Sequence, residues 1–158
     1  MKLLVAGIGN VLLGDDGFGC AVATALRERT WPGDVQVVDF GIRGMDLALA
    51  LTSGFDAAIL VDTVARGGTP GTLYIIEPVT SDAPVLPDSH AMDPESVLRL
   101  ARTLGTPPAF LRVVGCEPAA VAAPTDDLAI GLSPPVAAAV SQAVSLVAKL
   151  VGEARCTS

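Results

Sequence analysis

Short apolar runs rich in Val, Ile and Leu alternate along this chain with longer stretches whose apolar residues recur every three to four positions. A run with no polar face offers no side to water, so it suits a strand covered on both faces, and the intervening helical stretches supply the covers. Strands are predicted at residues 2–8, 35–39, 57–62, 72–77 and 110–114. Helices are predicted at 17–29, where Phe18, Val22, Ala25 and Leu26 share a face before Trp31, Pro32 and Gly33 end it, and at 44–51. Asp93-Pro94 and Ser133-Pro134 each read as a cap followed by a first-turn proline, opening helices to 104 and to about 153. The expected fold is α/β: a single-domain three-layer α/β/α sandwich with a mostly parallel sheet of about five strands. It spans residues 1–153, with 154–158 as a frayed tail.

The 158 residues suit one domain, and 51% hydrophobic against 17% charged content argues for a packed core rather than disorder. A net charge of -7 and only 4% aromatic residues disfavour nucleic acid, which needs cations for phosphates and rings for bases. Cys20, Cys116 and Cys156 are odd in number and widely spaced, so a reducing cytoplasm is expected rather than a disulfide framework. The apolar start reaches Gly7, Gly9 and Asn10 too soon for a membrane span or signal peptide, and it reads as the first strand.

In an open parallel sheet, ligands bind beyond the carboxyl ends of the strands, so polar groups at those ends are the candidates. The stretch from Gly7 through Gly9 and Gly14 to Gly19 partly matches a dinucleotide fingerprint. Leu12 stands where the third glycine is needed, however, and Asp15 and Asp16 would repel pyrophosphate at the helix start. Asp39, where a ribose-binding acid would sit, keeps nucleotide binding as an alternative. For one of Asp15 and Asp16, capping and dipole complementarity are explanation enough.

Asp62 ends the apolar run 57–62, so its carboxylate should emerge at the ligand edge, although such residues often only form turns. His90, in Asp88-Ser89-His90, is the only histidine. Two carboxylates and one imidazole could serve a borderline divalent ion such as nickel or zinc. One histidine cannot make a multi-histidine zinc site, so no tight resident metal is expected. A nucleophile elbow is absent, Cys20 lies on a core-seeking helix and Cys116 reads as packing. Residues 78–92 and 117–132 lack periodicity and are candidate functional loops.

The opening Gly-x-Gly-Asn-x-Leu-x-x-Asp-Asp-Gly-x-Gly resembles that of the hydrogenase maturation endopeptidases. So do Gly41-Ile42-Arg43-Gly44-Met45-Asp46-Leu47, Ile59-Leu60-Val61-Asp62-Thr63-Val64, Asp88-Ser89-His90, Gly115-Cys116-Glu117-Pro118 and Gly131-Leu132-Ser133-Pro134-Pro135-Val136, in order over nearly the whole chain. The resemblance implies a protease that removes a short C-terminal extension from the large subunit of a nickel-iron hydrogenase after nickel insertion. The family's metal-recognising acid falls on Asp16, its strand-end aspartate on Asp62 and its histidine on His90. Some members carry glutamate at the position of Asp16, one methylene longer. These three are the expected metal and catalytic set, reading nickel supplied by the substrate protein, with no organic cofactor.

Gly9 and Asn10 are expected to shape the first loop, and Gly41 and Gly44 to let a substrate backbone approach. The attacking group is expected to be a carboxylate-assisted or metal-polarised water. His90 must be neutral to ligate, so recognition should weaken on acidification. A cytoplasmic monomer partnering the large-subunit precursor, with neither nucleic acid nor membrane, is expected. The alternative is a nickel-sensing maturation chaperone that cuts nothing.

Overall fold

Strand β1 (Leu3–Ile8) is buried at every position, and β3 (Ala57–Thr63) at every position up to Asp62. Such strands need neighbours on both edges and cover on both faces, and the computed structural model, which describes residues 1–79, 93–119 and 130–157, supplies both. The remaining elements are a 3-10 turn (Gly14–Gly17), α1 (Phe18–Arg27), β2 (Val35–Gly41), α2 (Gly44–Leu51), β4 (Leu73–Ile76), α3 (Pro94–Leu104), β5 (Phe110–Cys116) and α4 (Pro134–Cys156). The sheet order is β2-β1-β3-β5-β4.

All pairs are parallel except β4, which runs antiparallel to β5 at the edge. Residues 64–72 between β3 and β4 are too few for a helical crossover, so the chain turns back instead. Alternation along the strands splits the core into two halves. Leu3, Val5, Ile59 and Val61 pack with α1 and α4, while Leu4, Ala6, Ala58 and Leu60 pack with α2 and α3.

The proline-led helix starts occur where predicted, and the Asp93 carboxylate accepts the Ser96 N–H at 2.9 Å. Helix α4 has the length and apolar composition of a membrane span, yet Val136, Ala139, Ala143, Val147 and Leu150 lie in the core. It also corrects the expected frayed tail at 154–158: the helix continues to Cys156, with Ala154 buried and the Arg155 guanidinium donating to Asp34 at 2.6 Å.

Helix α1 lies so close to the sheet that a Cβ on Gly19 would strike the carbonyl oxygens of Ile8 and Val61. Backbone cannot yield there without breaking strand pairing. Gly19→Ala is expected to cost about 3 kcal/mol, read as a lower midpoint in urea denaturation. A variant indistinguishable from wild type would refute this tight seat.

Candidate functional site

The chain passes from β1 through α1 to β2 on one side, then places β3 on the other side of β1, so a crevice opens between the carboxyl ends of β1 and β3. Asp62 reaches this crevice from β3 and Asp16 from the turn after β1. Asp62 is only 5% exposed, and its Oδ1 accepts the Thr63 backbone N–H at 2.7 Å. The Oδ2 of Asp16 accepts the Asn10 N–H at 2.8 Å, and its Oδ1 accepts the Thr63 hydroxyl at 3.5 Å. Thr63 thus bonds to both carboxylates.

Burial pushes the Asp62 carboxyl up to about 8; the Thr63 N–H opposes that, and the charges of Asp16 and Asp93 reinforce it. Burial therefore favours the protonated form of Asp62. Such a site can donate or accept a proton, or exchange it for a divalent ion.

Gly9, at φ +140°, makes this geometry possible. A Cβ there would strike the Asp16 carbonyl oxygen and sit 3.8 Å from Asp62 Oδ1. Asn10 holds the loop by accepting the Leu12 N–H on its side chain and the Leu13 N–H on its carbonyl. Gly41 accepts the Gly9 N–H at 3.0 Å, which ties the ends of β1 and β2, and Gly44 opens α2 just beyond. All four glycine and asparagine candidates therefore frame the same edge as Asp16 and Asp62. His90, with Asp88 and Ser89, lies outside the described residues, between Val79 and Asp93. Among the described residues, no group of three or more His, Cys, Asp or Glu is poised to hold a metal.

The model of the hydrogenase maturation protease family matches residues 20–150. The chain belongs to the hydrogenase maturation protease family. The hydrogenase 2 maturation protease of Escherichia coli is 32% identical over 153 residues, covering 93% of this chain and 88% of that one. Among solved structures, the hydrogenase maturating endopeptidase HybD of E. coli superposes with a TM-score of 0.79 at 29% identity, covering 97% and 93% of the two chains. A hydrogenase 2 maturation peptidase from a Thaumarchaeota archaeon gives 0.70 at 30%, covering 96% and 99%. The chain is accordingly a peptidase with the α/β fold of these proteins.

The first turn of this hydrogenase maturation protease is poorly suited to phosphate. The Asn10 N–H, a donor that a phosphate would need, is already held by Asp16, and Asp39 is spent on the Gly41 N–H at 3.0 Å. Thiolate chemistry is also disfavoured at the described cysteines of the site. Burial, with Asp39 beside it, pushes Cys20 up to about 12, and burial pushes Cys116 up to about 11.

Sequence reasoning missed the roles of Asp15 and Glu117. Asp15 accepts the Ser133 N–H at 2.6 Å, the Ser133 hydroxyl at 2.8 Å and the Ala119 N–H at 2.8 Å. It caps α4 from across the fold, and Ser133 donates to it instead of capping its own helix. Glu117 is buried and accepts N–H groups of Arg66 and Gly67 and the Tyr74 hydroxyl, which holds its carboxyl below the usual range. It fixes the loop that follows β3. A polar residue just past a buried strand was the available signal, but its partners were not.

Two further features border the acid pair. A cavity of about 590 Å³ opens beside Thr63, between β4 and the start of α3. On the β1–β2 side, Val11, Leu12 and Leu13 after β1, Ile42 before α2, and Met45 and Leu49 along α2 are exposed apolar residues. A run of three exposed apolar residues beside a second apolar stripe is costly on a surface that meets only water.

Proposed function

We propose that this peptidase removes a short C-terminal extension from the nickel-loaded large-subunit precursor of a nickel-iron hydrogenase, and that nickel carried by the precursor is its recognition element. The observation that carries this reading is the juxtaposition of Asp16 and Asp62 in the switch-point crevice, both bonded to Thr63. The relatives' names supply the link to hydrogenase maturation. Asp16, Asp62 and His90 meet the precursor's nickel, which enters as part of the substrate and needs no resident site. Asp62 releases its proton as the cation docks. A water then attacks the scissile carbonyl carbon; its proton passes to a carboxylate and on to the departing amine. The enzyme works as a cytoplasmic monomer without an organic cofactor.

The exposed apolar collar fits a macromolecular substrate better than a small one. Leu12→Asp and Met45→Asp, at positions 46% and 54% exposed, leave the core untouched. Each is expected to raise KM for the precursor about tenfold with kcat unchanged, since loss of docking alone removes uniform binding. Unchanged KM in both variants would remove the collar from substrate recognition.

The reading is tested by mass spectrometry of nickel-loaded and nickel-free precursors mixed with wild type and with His90→Ala. Loss of a C-terminal peptide from the nickel-loaded form alone, abolished by the substitution, is expected. Stable complex formation without any mass loss would instead identify a nickel-sensing chaperone.

A further inference from the structure

We propose that the cavity between β4 and α3 seats a carboxylate-bearing segment of the polypeptide that this protease cuts, held by the guanidinium groups of Arg66 and Arg102. The inference rests on the endopeptidase reading above and extends it to where the substrate chain lies. At about 590 Å³, the cavity is within the size range that encloses a ligand rather than scattered water. Thr63, the residue bonded to both Asp16 and Asp62, is part of its wall, so the cavity and the acid pair share a residue.

Charge argues for the class of ligand. The protein has ten Lys and Arg residues and a net charge of -7, yet three of its arginines line this one cavity. Three acids line it as well, each with a partner outside the Arg66 and Arg102 guanidiniums. Glu77 pairs with Arg112 at 3.3 Å, and both carboxylate oxygens of Asp93 serve Ser96. Glu95 meets Arg99 only at 3.8 Å, longer than a hydrogen bond, and the Nε of Arg99 is buried with no partner among the described residues. Arg66 stacks on Tyr74, 5.3 Å from its ring centre. No carboxylate of the described residues lies within ion-pair distance of Arg66 or Arg102.

The buried Nε of Arg99 is closed to the cavity, so the groups open to an anion there are the guanidiniums of Arg66 and Arg102, which line it without an acid partner among the described residues. Arginine forks match carboxylates with two parallel hydrogen bonds, while Val64, Leu98 and Val113 give the same cavity apolar walls. A partly apolar cleft with arginines in its wall suits a peptide ending in, or carrying, a carboxylate. That group is either the free C-terminus of the extension or an Asp or Glu side chain within it.

The test uses synthetic peptides copying the C-terminal extension of the large-subunit precursor from the same organism, fluorescently labelled at their N-termini. Three forms are compared by anisotropy: free acid, C-terminal amide, and one with Asp and Glu replaced by Asn and Gln. Wild type is expected to bind the free acid. Arg66→Ala combined with Arg102→Ala should weaken that binding at least about thirtyfold, from two lost charge-assisted contacts. Arg29→Ala, exposed and remote, should leave it unchanged, and equal thermal midpoints would exclude misfolding.

Selective loss with the amide assigns the C-terminal carboxylate; selective loss with the Asn/Gln form assigns a side chain. Binding that the double variant leaves intact, or no saturable binding of any form to wild type, overturns the proposal. Precursor cleavage is followed in parallel. Normal cleavage with intact binding by the double variant defeats the cavity assignment alone, whereas arginine-dependent binding without cleavage by wild type defeats the endopeptidase reading alone.

Discussion

Asp62→Asn is expected to abolish precursor processing while making the isolated protein more stable at neutral and alkaline pH. The two effects share one cause. Burial holds the Asp62 carboxyl near 8 in the folded protein, against 3.8 for the unperturbed group. Between those values the folded state keeps a proton that the unfolded chain releases, so stability falls as pH rises through this window and levels off above about 8. Stability falls by about 1.4 kcal/mol for each pH unit climbed inside that window, so the penalty at pH 7 is on the order of 4 kcal/mol.

Asparagine cannot ionise, so the variant escapes the penalty. Urea denaturation of metal-free wild type and Asp62→Asn from pH 5 to 9 should give curves that diverge as pH rises. Parallel curves would show that Asp62 does not hold the buried proton. Processing should move the opposite way, falling at least about a hundredfold, since the proposed reading makes Asp62 an oxygen donor to the precursor's nickel. On the proposed reading, docking of the precursor's nickel displaces a proton from Asp62, so the rate should drop as pH falls below about 8.

What the sequence disclosed follows from where the deciding contacts lie. β1 and β3 were legible because a strand buried on both faces writes a continuous apolar run, and Asp62 because it interrupts the end of one. Asp16 was legible through its motif. β5 runs two residues past its predicted end because Asp62 and Thr63 pair with Gly115 and Cys116, an alignment that exists only once β3 and β5 meet. The end of α4 was misplaced for a similar reason: Arg155 finds Asp34 across 121 positions. The cavity was not legible at all, since its arginines come from the loop after β3 and from α3, which share no sequence pattern.

Asp15 and Asp16 pose the sharpest case, because neighbouring identical residues differ completely in what they hold. Asp15→Ala is expected to destabilise the protein by about 4 kcal/mol. It removes one carboxylate that satisfies two backbone N–H groups and a hydroxyl, joining the first turn to the start of α4 and to the loop after β5. Those donors are only part-buried and would have to turn to water, at the cost of the link between the three segments. Since a domain is commonly stable by only about 5–15 kcal/mol, such a loss should appear as a much lower denaturation midpoint.

Asp16→Ala removes only the bond to the Asn10 N–H and a long contact with the Thr63 hydroxyl, so about 1 kcal/mol is expected. Its processing rate should nonetheless fall as far as that of Asp62→Asn. Asp16→Glu separates reach from charge: it keeps the carboxylate, and partial recovery of processing is expected because glutamate still offers an oxygen donor. If Asp16→Ala unfolds the protein instead, or Asp15→Ala leaves stability intact while stopping processing, the roles of the two residues are exchanged. The crevice would then be built on Asp15, and its distance from Thr63 would no longer matter to the chemistry.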